Sequence, residues 1–287
     1  MRLNKFISHN TKYSRREADK LIEAGEVTLE KRPLYEFGYE VQADDRIFLK
    51  GKLIKEKSGE LTIIVYNKPK GVLVTKKDDR GRATIYHKLP GKFRHFVPVG
   101  RLDYASEGLL LLTDNIEVAT ALMESGLDRT YNLKIDTPVT KEMMEAMKEG
   151  LVLDDARAGA HEKSKIYAME FAPFAHFEIR SEGKSFTKLR VTITEGKNRE
   201  LRRFFAHFDA KVLDLKRVAF GGIELNNLPE NKTRFFTRKE YDDVHQFMKR
   251  RRANQIASVK NERNAQKQKE ENERIKAKKP HSFKNRA

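Results

Sequence analysis

The sequence predicts an α+β protein with three parts: a small helical and β-stranded N-terminal module, a mixed α/β body with a mainly antiparallel sheet, and a basic disordered tail. Three observations lead there. Short β-rich runs such as Leu61–Tyr66 alternate with segments of helical period through residues 61–248. Residues 1–57 hold two short amphipathic helical stretches followed by alternating apolar pairs. From Lys249 apolar residues thin out and no period is sustained, so the chain there cannot bury enough surface to offset its ordering entropy. The expected division is 1–57, 61–248 and 249–287, with the polar, Gly-flanked stretch 51–60 as a linker.

Charged residues reach 35% against 38% hydrophobic, so part of the chain is solvated rather than packed. The net charge of +17 favours a polyanionic partner, because Lys and Arg displace counterions from phosphates. A merely soluble basic protein, or one drawn to acidic membranes, is the plainer alternative. The excess is uneven: residues 249–287 carry 14 Lys+Arg against 4 Asp+Glu. The absence of cysteine excludes disulfides, thiolate nucleophiles and Cys-built zinc fingers. The eight His are scattered with no pair at ligand spacing, so no metal is expected. No apolar run approaches the roughly 18 residues of a membrane span, and residues 1–10 do not read as a signal peptide. A soluble, cytoplasmic protein is the expectation.

In the first module Leu3, Phe6 and Ile7 fall at i, i+3, i+4, which suits a short amphipathic helix. Ser14-Arg15-Arg16-Glu17 then forms a capping box, Ala18, Leu21 and Ile22 supply a buried stripe, and Gly25 is a natural stop. Arg15 and Arg16 lie in the first turn, where positive charge opposes the helix dipole. That placement points to an anion, although a solvated basic face is the simpler reading. Val27/Leu29 and Ile47/Leu49 read as strands. Arg2-Leu3-Asn4-Lys5-Phe6-Ile7, with Ser14 to Ile22 and Gly25, resembles the small RNA-binding module first seen in a small-subunit ribosomal protein, the alpha-L motif. In this sequence Glu30-Lys31 stands where that family has an Asn-Gly turn. The resemblance implies that Arg15, Arg16 and Lys20 dock on an RNA backbone.

In the body, strands are expected at Leu61–Tyr66, Phe96–Val99, Leu109–Leu112, Tyr131–Ile135, Phe177–Arg180 and Leu189–Thr194, and Asn67-Lys68-Pro69-Lys70-Gly71 reads as a turn. Helices are expected at Val118–Met123, around Met143, Met144 and Met147 before Gly150, and along Leu201, Phe204, Phe205 and Phe208. The Gly-bracketed segment Gly100-Arg101-Leu102-Asp103-Tyr104-Ala105-Ser106-Glu107-Gly108 delivers Arg101 and Asp103 to the lip of an apolar strand. A carboxylate held there is partly desolvated and calls for a cation. Taken alone, an Asp in such a turn caps backbone amides as readily as it does chemistry. Arg199, Arg202 and Arg203 share an i, i+3, i+4 spacing near the start of a helix, where like charges repel and the dipole adds to the cost. A carboxylate and RNA phosphates would relieve both; a solvated face is the alternative.

Residues 100–113 resemble the signature G-R-L-D-x-x-T-x-G-L-L-L-L-T of pseudouridine synthases of the RsuA/RluB family, with Ser106 in place of Thr. Arg129-Thr130-Tyr131 is similar to that family's basic-x-Tyr element. Glu195 to Phe204 is similar to its E-G-R-N-R-Q-[IV]-R-R-M element, with Glu200 in place of Gln. The resemblance covers nearly all of residues 1–250. It implies an isomerase that detaches uracil from C1′ of ribose, turns it and rejoins it through C5, without metal or organic cofactor. It also implies the catalytic set: Asp103 as the carboxylate, as nucleophile or as base; Arg202 as its cationic partner; Tyr131 against the flipped-out base. Arg101, Arg199 and Arg203 are expected to bind RNA. The implied partner is structured RNA, a ribosomal RNA hairpin, met by a monomer. Ala253-Asn254-Gln255-Ile256 is similar to a stretch in RluB-like members, which favours large-subunit RNA. A non-catalytic RNA-binding ribosome-assembly factor is the alternative, whereas a DNA-binding protein lacks any helix-turn-helix or zinc pattern.

Overall fold

A computed structural model describes residues 1–11, 13–42, 44–54, 61–183 and 185–277, with side chains to residue 258. It divides into two compact units, Met1–Phe235 and Phe236–Ala287.

The first unit opens with α1 (Leu3–Asn10) and α2 (Arg15–Glu23). The capping box is present: Glu17 N–H donates to Ser14 Oγ at 3.3 Å and Ser14 N–H to Glu17 Oε2 at 2.7 Å. A small sheet follows, built from β1 (Val27–Leu29), β2 (Arg32–Pro33), β3 (Ile47–Leu49) and β4 (Lys52–Leu53) in the order β2-β1-β3-β4. Leu3, Phe6, Ile7, Ala18, Ile22, Val27 and Ile47 form its core, which accounts for the two apolar stripes. The β1–β2 turn at Glu30-Lys31 is made by taking Glu30 to φ +53°, a left-handed conformation that Asn and Gly adopt more cheaply. Most of the expected linker 51–60 falls on residues 55–60, outside the described residues; β4 occupies Lys52–Leu53.

The body is built around one large sheet. Its elements are β5 (Ile63–Lys68), α3 (Ile85–Lys88), β6 (Val97–Pro98), β7 (Glu107–Thr113), α4 (Ile116–Met123), β8 (Arg129–Ile135), α5 (Lys141–Glu149), β9 (Leu151–Leu153), β10 (Met169–Phe171), β11 (His176–Glu182), β12 (Thr187–Ile193), α6 (Glu200–His207), β13 (Val212–Phe220), β14 (Ile223–Glu224) and β15 (Thr233–Phe235). The strand order is β11-β12-β8-β13-β7-β5-β15, with β14 on β13 and β6 on β7, while β9 and β10 form a separate pair. Every pairing is antiparallel except β13 with β7. That parallel contact covers two positions, Lys216↔Glu107 and Arg217↔Gly108.

The parallel contact places the site. In a parallel pair the entering ends of both strands lie at the same end of the sheet. The loop 100–106 enters β7, and the turn after α6 enters β13, so loop and helix meet there. Gly108 makes the approach possible: at φ +102°, a Cβ on it would lie 2.2 Å from the Arg217 carbonyl oxygen. The core on the α5 and α6 side joins Leu110, Leu112, Tyr131, Leu133, Val191, Met143, Met147, Leu201, Phe204 and Phe205.

The second unit contains α7 (Arg238–Ala277). Its start is capped by Thr237 and Glu240, with Thr237 N–H donating to Glu240 Oε2 at 2.8 Å and Glu240 N–H to Thr237 Oγ1 at 3.3 Å. The sequence predicts a disordered or transiently helical tail from Lys249; in the structure α7 crosses that point unbroken. Lys, Arg, Glu, Gln and Ala are good helix formers, and no Gly or Pro interrupts residues 238–277. Residues 278–287 lie outside the described residues.

Candidate active site

The loop entering β7 is fixed from beneath by a fully buried lysine. Lys68, at the end of β5, donates from Nζ to the carbonyls of Pro69 at 2.9 Å, Asp103 at 3.2 Å and Ser106 at 2.8 Å. Three donors of an ammonium thus meet three carbonyls. Burial pushes the Lys68 amine down to about 8, although the charges of Asp103 and Glu107 favour its protonated form. Ser106 N–H donates to Asp103 O at 3.1 Å and Gly71 N–H to Tyr104 O at 2.8 Å, so the loop's backbone is tied at Asp103, Tyr104 and Ser106.

On this loop the Asp103 carboxylate lies between two guanidiniums. Asp103 Oδ2 is 3.6 Å from Arg199 Nη1 and 3.9 Å from Arg202 Nε. These are ion-pair distances, longer than hydrogen bonds. Arg202 is anchored by Nη1 to Val212 O at 2.9 Å, and by Nη2 to Ala105 O at 3.2 Å and Ser106 Oγ at 3.4 Å. Its Nε is buried without a hydrogen bond. Burial lowers the Arg202 pKa and Arg199 adds to this, opposed by Asp103 and Asp214. The hydroxyl that Ser106 shares with the Thr of the signature therefore has a partner in this chain. Arg199 is not on the helix: it caps α6 at φ +52° and donates from Nε to Gly159 O at 2.7 Å.

The third arginine of the spacing requires a correction. Arg203, expected on an RNA-facing surface with Arg199 and Arg202, is fully buried. Its Nε donates to Asn198 O at 3.0 Å, Nη1 to Ala156 O and to Ile166 O at 3.2 Å, and Nη2 to Ser164 Oγ at 2.7 Å and Asn198 Oδ1 at 3.2 Å. The loop ahead of β10 covers it, and every donor group on its fork is used inside the protein. The i, i+3, i+4 spacing misleads because it carries no sign of the segment holding Ala156, Ser164 and Ile166, which takes up the Arg203 fork.

Glu200, in the place of the family's Gln, is buried and accepts the Lys197 N–H at 2.8 Å; burial raises its pKa, that backbone bond opposes the rise, and nearby Glu195 adds to it. Arg129 is also interior, donating to Leu127 O at 2.7 Å and Thr194 O at 2.8 Å. Two residues on, Tyr131 alternates onto the same buried side of β8 as Leu133 and Ile135 and is 8% exposed. It belongs to the apolar cluster that includes Leu201, Phe204 and Phe205 of α6. Arg101 is exposed on the loop. Arg15, Arg16 and Lys20 are exposed on α2, with Arg15 Nη2 donating to Asn4 Oδ1 at 3.3 Å. Among the described residues no group of metal-ligating side chains is assembled, and no helix is long and apolar enough to cross a membrane.

Sequence reasoning missed Lys68, whose Asn-Lys-Pro-Lys-Gly context reads as a turn. It also missed Arg217, buried on β13 with Nε donating to Leu109 O at 2.8 Å. A cation at the end of a fully buried strand, just past the apolar run Ile63–Tyr66, is the signal that could have marked Lys68.

The carboxylate set between two guanidiniums lies within the stretch that matches an RNA-modifying isomerase family, and the basic helical module lies in a second matched stretch. The chain belongs to the RNA pseudouridylate synthase family, whose model matches residues 62–207, and an S4 domain model matches residues 1–47. An uncharacterized RNA pseudouridine synthase of Helicobacter pylori is 51% identical over 86% of this chain and 95% of its own length. Ribosomal large subunit pseudouridine synthase B of Bacillus subtilis is 31% identical over 83% and 93%. A crystal structure of a pseudouridylate synthase superposes with a TM-score of 0.58 at 25% identity, over 85% of this chain and 99% of that one. The alternative of a non-catalytic assembly factor gains no support from these relatives.

Proposed function

We propose that this isomerase converts a uridine of large-subunit ribosomal RNA to pseudouridine, with Asp103 as the catalytic carboxylate, acting as a cytoplasmic monomer. The observation that carries the reading is the Asp103 carboxylate within 3.6 Å of Arg199 and 3.9 Å of Arg202. The B. subtilis relative, named for the large ribosomal subunit, supports the choice of RNA. In the reaction the N1–C1′ bond breaks, a C5–C1′ bond forms, and the C5 hydrogen is lost as N1 gains one. Asp103 acts at the sugar, with the two guanidiniums beside its carboxylate. Tyr131 presents its ring to the base drawn out of the RNA stack. Arg101 and Arg199 contact phosphates near the site, while Arg15, Arg16 and Lys20 of the 1–57 module dock on the hairpin backbone, positioning the enzyme without reading sequence. Residues 61–248 form the catalytic domain and 249–287 a basic extension.

The test is Asp103→Asn, which keeps the size and turn geometry but cannot supply a carboxylate. Tritium release from C5 and pseudouridine mapping are followed on ribosomal RNA from cells lacking this protein, beside a binding titration. Isomerisation is expected to fall by several orders of magnitude with RNA affinity retained. Full activity in a folded Asp103→Asn protein would overturn the mechanism.

A further inference from the structure

Tyr104, the residue after Asp103, keeps 48% of its surface exposed. Among the described residues its ring stacks on no other aromatic ring and lies under no cation, its hydroxyl makes no hydrogen bond, and its one charged neighbour is Arg82. A lone exposed tyrosine on a loose loop would need no explanation, but this loop is not loose. The Tyr104 carbonyl accepts from Gly71 N–H at 2.8 Å, and on either side the buried Lys68 ammonium holds the carbonyls of Asp103 and Ser106. The ring lies along the Gly71 turn, where a Cβ would come within 3.7 Å of the Tyr104 hydroxyl. The Arg82 guanidinium, on the neighbouring 75–82 segment, is already engaged by Asp78 at 2.7 Å. A pinned backbone thus presents a half-exposed aromatic ring one residue along the chain from Asp103.

Resting on the reading of Asp103 as the carboxylate that acts at the target ribose, we propose that Tyr104 is the stacking platform for the nucleobase adjoining the uridine drawn from the RNA. Taking one base out of a stack leaves its neighbour with an uncovered face, and aromatic side chains bind such faces without regard to base identity. Consecutive Cα atoms are about 3.8 Å apart. A ring one residue from the carboxylate is therefore within reach of a nucleotide next to the one whose sugar the carboxylate touches. Tyrosine suits the task because a large flat surface is presented with few rotatable bonds to order. Stacking holds the RNA in its extruded conformation, so the effect falls on kcat/KM.

The experiment compares the full-length wild type with Tyr104→Ala, Tyr104→Leu, Tyr104→Phe and Tyr104→Trp on ribosomal RNA from cells lacking this protein, scored by C5 tritium release and pseudouridine mapping. Urea midpoints of all five proteins are measured alongside. Tyr104→Ala and Tyr104→Leu are expected to lose roughly 5- to 150-fold in kcat/KM, the range for one base–aromatic stack. Tyr104→Phe and Tyr104→Trp recover most of it, at unchanged urea midpoints. A Tyr104→Ala protein within twofold of wild type overturns the stacking proposal and leaves the assigned function standing, as does a Tyr104→Phe protein as impaired as Tyr104→Ala. A wild-type protein that leaves this RNA unmodified overturns both.

Discussion

Arg202 Nε sits 3.9 Å from Asp103 Oδ2, buried and without a hydrogen bond, while the other two nitrogens of the same guanidinium are held by Val212 O, Ala105 O and Ser106 Oγ. A buried donor left unmade costs free energy, so the atom is poised to bond when the carboxylate shifts or substrate arrives. Arg202→Lys keeps the charge and loses the fork that spans Asp103 and the loop carbonyls. We expect single-turnover isomerisation to fall about 100-fold or more, the loss typical of removing one preorganised electrostatic group, with the RNA dissociation constant changed only severalfold. Near-normal turnover by Arg202→Ala would remove Arg202 from the mechanism.

Lys68 makes the loop pH-sensitive. Its ammonium serves three carbonyls, and deprotonation near 8 leaves two donors for three acceptors. The rate should therefore decline as pH rises through about 8, and Lys68→Met should lose that alkaline limb together with most of the rate. The stability effect has the opposite sign. Unfolded, the amine titrates near 10.5, so between about 8 and 10.5 the unfolded chain binds more protons, and this group makes the fold more stable as pH rises. Urea midpoints measured across that window should show the upward contribution in wild type and lack it in Lys68→Met.

Arg203 is interior and Arg16 exposed, and their variants test which of the two meets RNA. Arg203→Met leaves buried carbonyls of Asn198, Ala156 and Ile166 without donors and should destabilise the fold by about 3 kcal/mol. The salt dependence of RNA binding should stay unchanged in the protein that remains folded. Arg16→Ala, on the exposed face of α2, should leave the urea midpoint in place and reduce the salt slope of binding by about one contact. The reverse pattern would exchange their roles.

The contrast shows what the sequence can and cannot reveal. Local signals were legible: the Ser14–Glu17 capping box, the apolar run of β7, the Leu201/Phe204/Phe205 stripe of α6. Each is written within a few residues, and each formed as expected. The central strand β13 was not foreseen, because irregularities in register between Val212 and Asp214 and between Arg217 and Ala219 break the two-residue alternation that marks a strand. Lys68 and Arg203 escaped because most of their partners are backbone carbonyls, at sequence separations of up to 47 residues, and carbonyls carry no side-chain signature. The signature around Asp103 located the candidate carboxylate, while the parallel β7–β13 contact that brings α6 to it belongs to topology alone.

The C-terminal extension supplies the last test. Residues 249–287 carry 14 Lys+Arg against 4 Asp+Glu, and α7 runs as helix to Ala277. At about 1.5 Å per residue a 40-residue helix spans roughly 60 Å, long enough to follow a duplex backbone well beyond one hairpin. Each phosphate contact contributes about 0.7 to 0.9 to the slope of log affinity against log salt. Removing residues 253–287 should therefore weaken RNA binding at low salt and flatten that slope by about two or more. Single-turnover chemistry on saturating RNA should stay within about threefold, since Asp103, Arg199 and Arg202 remain. Filter binding of ribosomal RNA across a range of KCl concentrations measures the first, and C5 tritium release the second. Ala265→Pro in the full chain breaks the helix without changing its charge. A slope reduced by that variant as much as by the deletion assigns the effect to helical presentation of the basic residues; an unchanged slope assigns it to charge alone. If the truncated protein keeps the wild-type slope, the tail does not anchor RNA.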